Sequence, residues 1–534
     1  MVHEWSKEYH MSTQKDPFIS KEVLVLHPTD DVAIAKRDLE PGVQVEVNAA
    51  KCASPFITRQ PVPSGHKVAL CDLSAGDPVH RYGQVIGFAS QDIQRGDHVH
   101  THNLAADNFE REYTMGIDAL PIQVLDRSER RTFMGYLRPD GRVGTRNYVA
   151  VISTVNCSAH TTRQIAHHFS PERLAAYPNV DGVIALTHHS GCSLQLGGDD
   201  YVLTQRALAG MADHPNVGAY AFVGLGCEEN QIDDLVDNYA LDRLPGRAPG
   251  RPVGLVIQEI GGVRKTVEAG IKAVEALLEV ANQAERTPQP ISELALALQC
   301  GGSDGWSGIT ANPLVGLMTD ELVRQGGSVL LGETPEIYGA EQILTRRAIR
   351  PEVGKRLVGQ IRWWEDHASK VGAVLDNNPS PGNKAGGLTT IYEKSLGAIA
   401  KAGKTPLTGV YEYAERLTTR GVGWMNTPGN DWIAVTGQVA SGCNLVVFTT
   451  GRGSAFGFKP SPVIKVCTNS ALYARMGEDM DLDAGRILTG TSMEDLAQEL
   501  LDLVIAVASG QPSKSEAQGI GEEEFCPWSL GGVL

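Results

Sequence analysis

Three cysteines recur at a fixed interval through the middle of the chain: Cys157, Cys192 and Cys227, 35 residues apart both times. Each follows a short apolar run and lies in a polar turn. Tyr148-Val149-Ala150-Val151-Ile152 leads to Asn156-Cys157, and Gly182-Val183-Ile184-Ala185-Leu186 leads to His188-His189-Ser190-Gly191-Cys192. Ala219-Tyr220-Ala221-Phe222-Val223 leads to Gly224-Leu225-Gly226-Cys227. A fourth, Cys300, opens Cys300-Gly301-Gly302-Ser303-Asp304 after the apolar residues 294–298 and Gln299. Thiolates are soft ligands for iron, zinc or an iron–sulfur cluster. A cysteine at a strand end is also a small buried hydrophobe in many proteins, and the residues leave both readings open. No C-x-x-C is present, which argues against a structural zinc knuckle. Histidines form a second group. His98, His100 and His102 alternate and would share one face of a strand, His27 closes an apolar run, and His66 follows a turn in Ser64-Gly65-His66-Lys67. Such imidazoles bind a divalent ion or form a solvated polar edge.

Cations on loops make a third group. The stretch Asn378-Pro379-Ser380-Pro381-Gly382-Asn383-Lys384-Ala385-Gly386-Gly387 reads as a long loop without a packing role, with Lys384 at its centre. Loops of this kind clamp an anionic substrate, a carboxylate or phosphate. Arg452, in Thr450-Gly451-Arg452-Gly453, and Lys67 are further cations in such positions. Neither Gly224-Leu225-Gly226 nor Gly451-Arg452-Gly453 completes a dinucleotide fingerprint, so a nicotinamide oxidoreductase is disfavoured.

The elements that must carry these groups follow from pattern. Short strand-like runs and turns up to about residue 103 predict a small β-rich domain over 22–103, behind an extension of residues 1–21. Residues 104–135 are polar and weakly periodic and read as a linker, long enough to be mobile. Strand-like and helical patterns then alternate, predicting a mainly parallel α/β region in two subdomains, 136–288 and 289–512, with a C-terminal tail over 513–534. In a parallel sheet the carboxyl ends of the strands share one edge, where ligands bind, so the cysteine turns are expected to converge there. The small domain, with His66 and Lys67, is expected to close over such an edge as a lid.

Composition bounds the partners. A net charge of −16 disfavours nucleic acid and an acidic membrane surface. No apolar window is long enough to span a membrane, and the opening residues lack a signal-peptide core. Nine cysteines without such a signal fit a reducing, cytoplasmic setting. Homo-oligomerisation is left open by these features.

Several long motifs in order resemble one family. They are His27-Pro28-Thr29-Asp30-Asp31-Val32-Ala33, Gly65-His66-Lys67-Val68-Ala69-Leu70, Tyr82-Gly83-Gln84-Val85-Ile86-Gly87 and Asp140-Gly141-Arg142-Val143-Gly144-Thr145-Arg146-Asn147, followed by Gly224-Leu225-Gly226-Cys227-Glu228, Cys300-Gly301-Gly302-Ser303-Asp304, the Asn378 loop and Thr450-Gly451-Arg452-Gly453. Together, over about residues 22–510, they resemble the altronate/galactarate dehydratases, with Asp31 where that family usually has Asn. The resemblance implies an N-terminal SAF-type β domain before a large α/β catalytic region. It also implies elimination of water from a hexonic or hexaric acid, dependent on iron (ferrous ion or iron–sulfur cluster) or another divalent metal. The small-molecule substrate would be altronate first, from the Gly197-Gly198-Asp199-Asp200 and Thr427-Pro428-Gly429-Asn430-Asp431 stretches, with galactarate second. The product would be a 2-keto-3-deoxy acid. On this reading Cys157, Cys192 and Cys227 hold the metal, with Cys300 as substitute or neighbour, and His27 with His66 forms a rival site. Lys384 and Arg452 hold the carboxylate, with Asn383, Ser303, Asp304 and Glu333 beside them. His66 or His189 moves the proton, with Lys67 assisting.

Overall fold

The computed structural model describes residues 20–47, 54–107, 111–243 and 251–531. The expected extension over 1–21 falls almost wholly outside them, as does Cys52. The N-terminal module is antiparallel. Val23–Leu24, Val32–Ala35, Lys67–Ala69 and His98–Val99 form one sheet, and Pro78–Arg81, Gln84–Ala89 and Leu104–Ala105 form another. Val32, Val79 and Ile86 fill the space between the two sheets.

Two parallel α/β units follow. In the first, Tyr148–Ser153 lies between Gly182–Leu186 and Val217–Gly224, with Val253–Val256 on the far side. The central strand is buried along its whole length, as an apolar run covered on both faces requires. Val149 and Val151 meet residues of the Ala159–His167 and Val263–Ala281 helices, while Tyr148, Ala150 and Ile152 meet the Asp199–Ala212 helix. The second unit has seven parallel strands in the order Leu407–Tyr411, Gly421–Met425, Ser328–Leu331, Ala295–Cys300, Leu445–Thr450, Val463–Cys467 and Leu482–Asp483. Leu296, Leu298 and Val447 face the outer core with the Ala311–Arg324 and Met493–Ala508 helices. Ala297, Val446 and Phe448 face the core shared with the first unit. The Asp199–Ala212 and Asp431–Ala440 helices pack together in that shared core. A Cβ on Gly210 would lie 2.2 Å from the Ala440 carbonyl oxygen, so only glycine allows the approach. Buried amides tie the amino ends of the two sheets: Asn216 Nδ2 donates to the Asn444 carbonyl at 3.1 Å, and Asn444 Nδ2 to that of Val143 at 2.9 Å.

Three expectations are corrected. The stretch read as a mobile linker is a strap bound to the second unit. Arg111 pairs with Glu341 at 2.8 Å, Arg346 with Asp118 at 2.6 Å, and the Leu125 amide donates to the Arg324 carbonyl at 2.8 Å. Its polarity reflects these pairings rather than solvent exposure alone. The C-terminal tail is structural too. Glu516 takes a two-pronged ion pair from Arg146, each bond 2.7 Å, and Phe525 and Trp528 are buried in the shared core. The loop around Lys384 does pack. Ser380 caps the short Pro381–Ala385 helix, and Asn383 Nδ2 donates to the Ser303 carbonyl at 2.8 Å. Among the described residues no helix is long and apolar enough to cross a membrane.

Candidate active site

The N-terminal module docks on the second unit through a buried charge cluster. Lys67 Nζ donates to Glu393 Oε1 and Oε2 at 2.8 and 2.9 Å and to the Gly387 carbonyl at 2.6 Å. Arg81 also bonds Glu393, and reaches the Gly305 carbonyl at 2.8 Å. Burial alone would raise the Glu393 pKa, but the Lys67 and Arg81 charges outweigh it and bring it down to about 2. Burial draws Lys67 down to about 8, so both groups are charged at neutral pH. All three ammonium protons of Lys67 are engaged, which makes it a clasp rather than a proton carrier. Leu24 and Ile34 pack on Trp306 and Ile309 beside it. Gly65 has φ +81°, and a Cβ there would lie 2.9 Å from Trp306 Nε1.

Histidines line the same junction. His66 Nδ1 lies 3.0 Å from His98 Nε2, and the His66, His98 and His100 ring centres are 5.0–5.3 Å apart. His100 Nε2 is 2.9 Å from the Lys384 carbonyl oxygen. Burial, then the neighbouring His100 and Lys67 charges, pulls His66 down to about 4; burial and the other imidazoles take His98 to about 3. The structure therefore joins His66 to His98 and His100. His27 is engaged elsewhere, with Nδ1 2.7 Å from Thr29 Oγ1 and its ring against Gly83.

Beneath this module lie the carboxyl ends of the second sheet. Cys300 ends the central strand, and Lys401 Nζ is 2.7 Å from its Sγ. Glu333, just past the Ser328–Leu331 strand, is held at φ +66°, unusual for a residue with a Cβ. Glu336 Oε1 accepts from Lys394 Nζ at 2.6 Å and Asn378 Nδ2 at 2.7 Å, while its Oε2 is buried without a partner. Cys300, Glu333 and Glu336 place three donor atoms within 4.8 Å of one another. Asp431 starts the next helix with its carboxylate against Gly301, where a Cβ would meet it at 2.4 Å. Burial, then Glu336 and Cys300, raises Glu333 well above the usual carboxylate range; burial and Glu336 raise Asp431 to about 6. Four acidic groups thus face two lysines. With every group ionised, the cluster is two positive charges short, a deficit that one divalent cation or two protons would balance. The sulfur and carboxylate donors and the orphaned Glu336 oxygen suit a divalent transition metal.

The rim carries the remaining expected residues. Gly386 sits between Asp304 and Arg452, a Cβ there lying 3.0 Å from Asp304 Cβ and 3.1 Å from Arg452 Cδ. That brings the exposed Arg452 beside the half-buried Lys384 loop. Asp304 accepts from Ser307 Oγ, the Trp306 amide, Thr468 Oγ1 and Asn469 Nδ2 at 3.0–3.2 Å, which makes it an organiser of three loops. Asn383 is spent on Ser380 and Ser303. Ser303 and Cys300 line a small cleft with Tyr82, Glu393 and Lys394.

The four cysteines do not form one group. Cys300 is buried in the second unit, whereas Cys157, Cys192 and Cys227 are exposed on the first unit's edge together with His189. Residue reading missed Arg81, Glu336, Glu393, Lys394, Lys401 and Asp431 as a working set. Two lysines seven residues apart in an otherwise apolar helical stretch, Lys394 and Lys401, were the available signal.

Comparison with known proteins covers most of the chain. Residues 21–107 match the altronate/galactarate dehydratase SAF domain, 135–282 the D-galactarate dehydratase/altronate hydrolase second domain, and 291–533 the D-galactarate/altronate dehydratase C-terminal domain. The chain is 38% identical over 501 residues to an altronate dehydratase of Escherichia coli, covering 93% of this chain and 97% of that protein. It is 37% identical to an altronate dehydratase of Bacillus subtilis, over 92% of this chain and 96% of that protein. It is 36% identical to an E. coli galactarate dehydratase (L-threo-forming), over 91% and 92%. With a SAF module clasped over the carboxyl edge of a seven-stranded parallel sheet and domain matches along nearly its whole length, the chain belongs to the altronate/galactarate dehydratase family of hydro-lyases.

Proposed function

We propose that this protein dehydrates altronate to a 2-keto-3-deoxy acid, at the carboxyl edge of the second sheet beneath the SAF module. The observation that carries this placement is the cluster of Cys300, Glu333 and Glu336, whose donor atoms lie within 4.8 Å of one another beside Lys394, Lys401 and Asp431, under a rim that carries Lys384 and Arg452. Elimination removes the proton on C2, next to the carboxylate, and expels the hydroxyl on C3; the enol formed tautomerises to the keto acid. That proton is weakly acidic and hydroxide leaves poorly, so the site must supply positive charge and a proton carrier. Cys300, Glu333 and Glu336 would hold a divalent metal, ferrous iron being our choice, which when bound supplies Lewis-acid stabilisation of developing negative charge. Lys384 and Arg452 hold the substrate carboxylate at the rim. Asp431, with its pKa near 6, is poised to take up the C2 proton and return one to the departing hydroxyl. His66, neutral and backed by His98 and His100, braces the loop that carries Lys384. We place the protein in the cytoplasm.

Galactarate is the second reading, since a relative of similar identity bears that name. A keto-acid colour assay over aldonic and aldaric acids, run anaerobically with ferrous iron, tests the assignment. Turnover of altronate above galactarate supports it. Preference for substrates with carboxylates at both ends would favour galactarate, and no turnover of either would overturn both.

A further inference from the structure

The central strand of the second sheet sets a thiol against an amine. Cys300 ends Ala295–Cys300, and its Sγ lies 2.7 Å from Lys401 Nζ. Both residues are buried, Cys300 being 2% and Lys401 4% exposed. The site's other buried lysines meet carboxylates, Lys67 at Glu393 and Lys394 at Glu336. Among the described residues Lys401 Nζ bonds only the Cys300 sulfur. The pairing is built into the backbone. Lys401 lies in the single turn Ala400–Ala402, pressed against the Ala311–Arg324 helix. A Cβ on Gly316 of that helix would lie 2.2 Å from the Ala400 carbonyl oxygen, so only glycine allows the approach. Thr319 Oγ1 donates to the Lys401 carbonyl at 3.0 Å, and Asn312 Nδ2 to that of Gly397 at 2.9 Å. Asn312 Oδ1 in turn accepts from Thr449 Oγ1 at 2.6 Å, on the strand paired with Cys300.

An oxidised cysteine sulfur is captured by a neighbouring nucleophile, a thiol or a nitrogen. Here that neighbour is the Lys401 amine, at a separation that one bridging oxygen spans. Cys300 also lines the small cleft with Tyr82, Ser303, Asn312 and Gly397, which gives dioxygen, a small apolar oxidant, a way in. We propose that Cys300 and Lys401 are a modification site, at which dioxygen joins Sγ to Nζ through one oxygen atom. The O–O bond breaks. One oxygen forms bonds to sulfur and nitrogen; the other leaves as water with the thiol proton and one proton of the neutral amine. Sulfur and nitrogen give up two electrons each, and dioxygen takes up the four. Two equivalents of a dithiol return four electrons and four protons, which restores thiol and amine and releases the bridging oxygen as water. The link needs only this pair and dioxygen. Its consequence rests on the function proposed above: the linked sulfur is no longer a donor beside Glu333 and Glu336, so air silences dehydration until a reductant acts.

The test is intact-mass spectrometry of the full-length protein, purified anaerobically, stripped with a chelator and then held in air-saturated buffer. A gain of about 14 Da, one oxygen in and two hydrogens out, is expected, with one of the nine thiols lost. Dithiothreitol should reverse both changes. Proteolysis without reductant should give one cross-linked peptide pair containing Cys300 and Lys401. Lys401→Met should form no link and carry its added oxygens on Cys300 alone. Three results in the parent would overturn the proposal: nine thiols retained after air, a mass gain that dithiothreitol leaves in place, or oxidised Cys300 in a peptide separate from Lys401. These parental readings hold whether or not the variant folds. Altronate turnover under anaerobic conditions measures the proposed activity independently of the link.

Discussion

The two parallel sheets end in edges of opposite character. On the first, three thiols stand exposed on loops held by backbone bonds and by the Glu228, Glu229 and Asn230 side chains. On the second, carboxylates, lysines and one thiol are buried beneath a separate module. Stabilising an enolic transition state requires charges in a site from which water is excluded, which the covered edge offers and the open one does not. The same α/β architecture thus gives one open edge and one covered edge, and the SAF module makes the difference by covering one of them.

Asp431→Asn breaks the comparison most sharply if the second edge carries the chemistry. It keeps the volume and removes the titrating group, so kcat should fall by about 10²–10⁴-fold, the usual range for a general acid–base, while Mn²⁺ binding persists. Steady-state kinetics on altronate with parallel Mn²⁺ titration checks this. Glu393→Gln strips the clasp and leaves Lys67 and Arg81 buried without their counter-charge. A loss of about 3–5 kcal/mol in denaturant unfolding is expected, as for breaking one side of a buried pair. Restoring charge balance with Lys67→Met in the same chain should recover part of it. Lys384→Met deletes a rim charge without touching the core. It should cost roughly 30- to 1000-fold in kcat/KM, about 2–4 kcal/mol of transition-state stabilisation, with unfolding unchanged.

The smallest effect concerns the imidazoles at the junction. His66 and His98 have folded pKa values of about 4 and about 3, below the ordinary 6.5. The unfolded chain therefore takes up protons below pH ~6.5 before the folded chain does, and stability falls as pH drops from there toward the folded values. The melting temperature should decline across that window, and His98→Gln should flatten the decline. A flat parental profile would place these imidazoles in solvent rather than in the docked junction.

Much of this division is legible in the residues, and what is hidden has a physical reason. Apolar runs ending in Cys157, Cys192, Cys227 and Cys300 reveal the strand ends, because a doubly covered parallel strand shows no alternation and stops at a polar turn. The small β module and the two α/β units follow from turn signals and from the change of pattern, and the SAF type of the first from the family resemblance. The clasp is not legible. Lys67 and Glu393 are 326 residues apart, and nothing local to either marks the other. Glu336 and Asp431 look like ordinary surface acids until the fold buries the first and half-buries the second near Lys394 and Lys401. Residues 104–135 read as a linker because their ion pairs with Glu341 and Arg346 are also long-range.

Cys300, Glu333 and Glu336 place the proposed divalent metal at the second edge and not on the exposed cysteine loops of the first. Equilibrium titration with Mn²⁺ in the absence of sulfide tests it directly on three full-length proteins: the parent, Glu336→Gln, and the triple serine variant at Cys157, Cys192 and Cys227. The account predicts one tight site in the parent, the same site in the triple variant, and at least tenfold weaker binding in Glu336→Gln. Parental affinity in Glu336→Gln together with loss of binding in the triple variant would contradict it and move the metal to the first edge.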